Sequence, residues 1–187
     1  MSLIDSGDPS YVASLELYKI LPHPVAQIRY SDAKSFCEAM AAFSTGSLDC
    51  RLLTEAEWEY AYRAGTVTTY YNGDSSTDVR KIANFRGENA KFFIEVGLRG
   101  ANAFGLHDFA GNVREWCEDY YGEYDSTTID PKGPKEGTER VHRGGSRLAA
   151  NVIDCSAAAR DKREPEVTSD EIGFRIAISA NKINPKR

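Results

Sequence analysis

The chain has 187 residues and 41% hydrophobic content, enough to bury one apolar core without disulfide or metal staples. Its net charge of −5, with Lys and Arg scattered along the chain, excludes the basic footprint of a nucleic-acid or anionic-lipid binder. No apolar run is long enough to span a membrane, and Met1–Asp5 lacks the basic-then-apolar start of a secretion signal, so composition leaves the cellular location open.

Tyr11 to Ile20 alternates loosely, predicting a short strand before the Pro22-His23-Pro24 punctuation, and Val25 to Tyr30 predicts a second extended piece. Ser31 is the expected cap of a helix running to Phe43, with Ala33, Phe36, Cys37, Met40 and Ala41 on one apolar face. Thr54-Glu55-Ala56-Glu57 is a capping box, and Leu53 with Trp58 forms its hydrophobic staple. That second helix turns Trp58, Ala61 and Tyr62 inward and ends at Gly65. Thr66 to Thr138 is rich in Gly, Asn, Asp and Tyr with little periodicity beyond runs such as Val113 to Tyr121, and so long a loop region implies a function or a bound ion. Arg140 to Arg143 predicts a strand, Gly144-Gly145 a tight turn, the stretch to Glu171 a polar connection, and Ile172 to Ser179 a closing strand. No repeat or linker interrupts residues 1–187, so a single domain is expected.

Five stretches follow one another in an order that is specific as a set. They are His23-Pro24-Val25 with Ser31-Asp32-Ala33 and Phe36-Cys37; Arg51-Leu52-Leu53-Thr54-Glu55-Ala56-Glu57-Trp58-Glu59-Tyr60-Ala61; Asn102-Ala103-Phe104-Gly105-Leu106 through Gly111-Asn112-Val113-Arg114-Glu115-Trp116; Arg140-Val141-His142-Arg143-Gly144-Gly145-Ser146; and Ile172-Gly173-Phe174-Arg175. Together they resemble the formylglycine-generating-enzyme (sulfatase-modifying-factor) domain. The resemblance implies an α+β, C-type-lectin-like fold with two main helices, short antiparallel strands, long irregular loops, and terminal strands paired with each other. The leading segment is shorter than the family's, with Tyr11 to Ile20 as its substitute.

Members of that family that oxidise a substrate cysteine carry a Cys-x4-Cys pair between the Gly-Gly-Ser turn and the final Gly-Phe-Arg, because copper and a substrate thiol call for soft sulfur ligands. Registering this chain on Arg160, Pro165 and Gly173-Phe174-Arg175 puts Val152 and Ala157 at those positions, with Cys155 between them. No copper site is therefore expected. An iron site of the sulfoxide-synthase kind is not expected either, since the histidines are only His23, His107 and His142 and lie apart in sequence. Cys37, Cys50, Cys117 and Cys155 lack the close spacing of a zinc site, and read as reduced, packed side chains. Ser146 lacks the context of a hydrolase elbow and reads as a turn residue, and Glu55, Glu57 and Glu59 read as capping and surface acids.

Asp108 to Glu115 gathers two carboxylates and several loop carbonyls, the hard oxygen donors that calcium accepts. The resemblance implies a structural calcium ion held by the side chains of Asp108 and Glu115 and the main-chain oxygens of Gly111 and Val113. The alternative is that both acids bond loop amides. A second family site would use Asn84 and Phe85, but its acidic loop is not recognisable between Arg86 and Gly100.

In C-type-lectin-like folds the loops before the last strand bear the ligand surface, here Ser146 to Glu171. Every residue from Arg147 to Asp161 can be encoded by replacing the adenines of an Asn codon, and Lys, Glu, Gln, Met and Trp are absent there. That pattern resembles the variable proteins of diversity-generating retroelements, which bind partners on this scaffold. The expected contacts are Arg147, Ala149, Asn151, Ile153, Ala157, Ala159, Asp161 and Arg163, facing a protein or other macromolecular ligand, with no nucleic acid and no membrane insertion. An atypical oxidase or sulfoxide-synthase relative using Cys155, and a structural accessory protein, remain open as rival readings.

Overall fold

The computed structural model describes residues 22–44, 49–86, 92–124 and 129–179, and the strand expected at Tyr11 to Ile20 lies outside them. The fold is mixed α+β, as expected.

Helix α1 spans Tyr30–Phe43. Its first turn is closed by Asp32, whose Oδ2 accepts the Arg29 N–H at 2.8 Å, and not by Ser31, whose hydroxyl lies inside the helix and donates to Glu166 at 2.9 Å. Tyr30, Ala33 and Cys37 form its buried face, whereas Phe36 is exposed on one side and meets the Phe174 ring edge-on at 5.4 Å. Val25 to Arg29 is irregular and not a strand, because Gln27 adopts a φ of 61°. The segment is instead tied to the C-terminal loop by Gln27 N–H to Ser169 O at 2.9 Å and Tyr30 N–H to Pro165 O at 2.8 Å.

Strand β1, Asp49–Leu52, leads into helix α2, Glu55–Arg63. The capping box is formed: Thr54 Oγ1 accepts from Glu57 N at 3.2 Å, and Glu57 Oε2 accepts from Thr54 N at 2.9 Å. The helix ends at Arg63, one residue earlier than Gly65 alone would require, since Ala64 already takes the left-handed conformation at φ 46°. A single turn, α3 (Ser76–Val79), is capped by Ser75.

Among the described residues five more strands and a 3-10 turn follow: β2 Arg114–Tyr120, β3 Arg140–Arg143, the 3-10 turn Val152–Cys155, β4 Arg160–Arg163, β5 Ile172–Phe174 and β6 Ile176–Ser179. The expected polar connection from Ser146 to Glu171 thus contains both a 3-10 turn and a strand. The stretch read as one closing strand divides at Arg175. β5 runs parallel to β2 in a four-stranded sheet of order β4-β3-β2-β5, while β6 pairs antiparallel with β1, so that the first and last described strands meet. Gly173 is needed at this crossing, because a Cβ there would stand 2.3 Å from the Val25 carbonyl oxygen.

Two cores result. Trp58, Tyr62, Phe109, Cys117 and Val141 anchor the larger one between α2 and the long loops. Ala33, Cys37, Leu52, Trp116 and Ile172 form the smaller one under α1. Among the described residues no helix is long and apolar enough to cross a membrane.

Candidate recognition surface

The segment that follows β3 is positioned by buried charge. Arg143 is 1% exposed, and its Nη2 meets Glu59 Oε2 at 2.5 Å and the Ala157 carbonyl at 2.6 Å, while Nη1 meets the Ala159 carbonyl at 2.8 Å. Arg160 grips Glu55 through two hydrogen bonds of 2.6 and 2.7 Å, and Glu55 is itself only 5% exposed. Glu55 and Glu59 are therefore not surface acids of α2. They are the anchors to which residues 157–160 are fastened, and their desolvated, geometrically matched arginine bonds are of the strong kind. Sequence reasoning missed this; its one signal is an arginine directly after three alanines, opposite a helix with acids four residues apart.

The Gly144-Gly145 turn forms as expected, both residues at positive φ, and it brings the chain against the larger core: a Cβ at Gly145 would lie 2.7 Å from Cys155 Sγ. Ser146 is buried and donates to Glu171, consistent with a turn residue.

The eight expected contact residues divide. Asn151 and Asp161 are exposed, as is Ile153, and Ala159 and Arg163 are half-buried. Ala149 and Ala157 are not on the surface: they are 3% and 0% exposed and packed in the larger core, because the segment on either side of the 3-10 turn folds against that core. Arg147 is also mostly buried, its Nη2 2.6 Å from Asp170 and its guanidinium 4.6 Å above the Phe93 ring. Asp161 is steadied by Arg114 at 3.1 Å.

The positions registered to the oxidase cysteines are equally inward. Val152 packs against the larger core, and Ala157 hydrogen-bonds through its N–H to Thr69 O at 2.9 Å. All four cysteines are free and buried. Burial, reinforced by the charge of Asp154, pushes the Cys155 thiol up to about 12, which favours its protonated form at neutral pH.

Among the expected calcium ligands, Glu115 faces a different cation, the Arg175 guanidinium. Glu115 is 5% exposed; its Oε2 accepts from Trp58 Nε1 and from Arg175 Nε, both at 2.6 Å, and its Oε1 accepts from Arg175 Nη2 at 2.7 Å. Asp108 Oδ2 accepts the Gly97 N–H at 2.6 Å, the loop-amide alternative. Of the set Asp108, Gly111, Val113 and Glu115, both Glu115 oxygens are engaged by the guanidinium and Asp108 by a loop amide in this arrangement. Asn84, from the second expected site, is joined instead to Asn112: its carbonyl accepts Asn112 N–H at 2.8 Å, and the two side chains meet at 3.2 Å. Among the described residues no group of three or more His, Cys, Asp or Glu could hold a metal ion.

Comparison with known proteins agrees with the fold and its motifs. The sulfatase-modifying factor enzyme 1-like domain matches residues 14–180. The formylglycine-generating enzyme of Streptomyces coelicolor is 35% identical over 179 residues, covering 85% of this chain and 54% of that enzyme, so the chain spans about half its length. Among solved structures, Treponema denticola variable protein 1 superposes with a TM-score of 0.77 at 25% identity, over 83% of this chain and 70% of that one. PvdO from Pseudomonas aeruginosa gives 0.74 at 25% identity, over 84% and 62%. The chain belongs to the family of sulfatase-modifying factor enzyme 1-like domains, with its C-type-lectin-like α+β fold.

Proposed function

We propose that this chain is a non-catalytic binding domain whose loop from Ser146 to Glu171 offers a variable surface to a protein or other macromolecular ligand. The observation that carries the reading is the contrast within that segment. Val152 and Ala157 are registered where the oxidising members have sulfur, Arg143 and Arg160 fasten the backbone at residues 157–160, and Asn151, Ile153 and Asp161 on either side of that stretch are exposed to solvent. A rigid frame bearing tolerant exposed side chains is what recognition by diversified residues requires, since order is supplied before the ligand arrives. The likeness to Treponema denticola variable protein 1 supports the same reading, as does the absence of Lys, Glu, Gln, Met and Trp between Arg147 and Asp161.

The test is genetic and direct: sequencing the DNA beside the coding region for a near-identical copy of the Arg147 to Glu171 stretch. The expected result is a copy whose differences fall at adenines. Copper binding with oxygen consumption on a thiol peptide, lost in Cys155→Ser, would overturn the proposal in favour of an oxidase. Partner capture that survives substitution of Asn151, Ile153 and Asp161 would overturn it in favour of a structural accessory role.

A further inference from the structure

A second site lies away from the 3-10 turn, where the start of α2, the end of β2 and the turn at 131–135 enclose a cavity of about 570 Å³. Its wall includes Asp119, which is 4% exposed and whose Oδ2 accepts the Glu55 N–H at 2.7 Å. The other two buried or half-buried acids of the wall are neutralised, Glu55 by Arg160 and Arg143, Glu59 by Arg143 and Arg63. Asp119 has no ion pair among the described residues. A carboxylate held at this depth without a counter-ion is destabilised in its charged form, and either a proton or a cation brought to it relieves that cost.

The opposite charge is carried by the turn that packs against Asp119. Gly133, at φ 66°, folds the turn down until a Cβ there would stand 3.2 Å from Asp119 Oδ1, and this sets Lys132 and Lys135 on the cavity wall. Both lysines are exposed, and neither forms an ion pair among the described residues. Arg160 is not available to a ligand: it binds Glu55 and the Gly122 carbonyl and stacks 3.9 Å from the Tyr124 ring. Tyr60 and Tyr124, 69% and 59% exposed, supply flat apolar faces beside these charges.

We infer that this cavity binds a free α-amino acid, its ammonium group against Asp119, its carboxylate against Lys132 and Lys135, and a flat apolar side chain against the tyrosines. The inference is independent of the macromolecular surface, so loss of one leaves the other standing. Isothermal titration of the whole chain with L-phenylalanine, L-phenylalaninamide and N-acetyl-L-phenylalanine separates the two charges of the ligand. Saturable binding of the free amino acid is expected, with the amide and the N-acetyl compound each weaker by about tenfold or more, the loss that follows from one missing charge-assisted contact. Asp119→Asn should erase the discrimination against the N-acetyl compound. The Lys132→Gln/Lys135→Gln double variant changes exposed residues only and leaves the fold intact, and it should erase the discrimination against the amide. Equal affinity for all three compounds, no saturable binding of any, or discrimination unchanged in the lysine variant would overturn the inference.

Discussion

Replacing Arg175 with Met removes the cation that faces Glu115 while keeping the length and apolar stem of the side chain. The structure sets the size of the effect. Glu115 is 5% exposed, and of its three hydrogen bonds two come from Arg175 and one from Trp58. The variant therefore leaves a desolvated carboxylate with one neutral donor, a situation that costs about 3–5 kcal/mol. For a domain of this size that corresponds to a fall in Tm of roughly 10 °C or more. Urea unfolding at pH 7, followed by circular dichroism, measures it. The double variant Glu115→Gln/Arg175→Met removes the stranded charge and should recover more than half of the loss, because a neutral amide still accepts the Trp58 N–H. If Arg175→Met unfolds within about 1 kcal/mol of the parent, the usual scale of a surface change, then the pair is not the buried anchor described here. The same measurement bears on calcium. Since Glu115 is already bonded through both oxygens, adding millimolar calcium should leave the parent's Tm unchanged, and a calcium-dependent rise would mean that an ion displaces Arg175 from this carboxylate.

Further expectations concern titration, thiol chemistry and the surface. Burial raises Asp119 to about 6, so the native state keeps a proton that the unfolded chain releases near 3.8; this contribution to stability is present below 3.8 and is lost as pH rises through 6. Asp119→Asn lacks that contribution, and between pH 7 and pH 4 it should lose about 2 kcal/mol more than the parent in urea unfolding, whereas equal pH slopes would contradict the assignment. His142 acts in the opposite sense: burial lowers it to about 4, so stability present above 6.5 is lost as pH falls toward 4, and His142→Phe should reduce the acid loss. Iodoacetamide should label none of the four buried cysteines in the native protein at pH 7.5 over minutes, as mass spectrometry can read, and rapid native labelling of Cys155 would revive the oxidase reading. Substitutions at exposed Asn151 and Ile153 should stay within about 0.5 kcal/mol in thermal unfolding, whereas Ala157→Leu, inserted into the core, should cost about 1–3 kcal/mol or more. Equal tolerance at all three positions would refute the division of the segment into frame and display.

The parts of the fold legible in the sequence are those whose cause is local. The α2 capping box is written in four adjacent residues, the Gly144-Gly145 turn in two, and the strand at Arg140–Arg143 in its boundaries, and each formed where it was expected. The ordered motifs carried the family, and with it the fold class, because their spacing along the chain is preserved. The start of α1 was misread for an instructive reason. Ser31 and Asp32 are both capping residues, and only the backbone path from Gln27 to Tyr30, fixed by contacts with Pro165 and Ser169, decides which of them closes the first turn.

The site depended on tertiary structure to a greater degree. The registration of Val152 and Ala157 on the oxidase cysteines is read from the sequence, as is the restricted residue set of the loop. Which side chains of that loop face solvent is not, because its direction is set by Arg143 and Arg160 reaching Glu55 and Glu59 on a helix roughly a hundred residues earlier in the chain. The break of the last strand at Arg175 has the same origin, a bond to Glu115 sixty residues away. Stranding a buried charge away from its partner costs about 3–5 kcal/mol, so the pairing dictates the path of the chain, and no local pattern records where the partner lies.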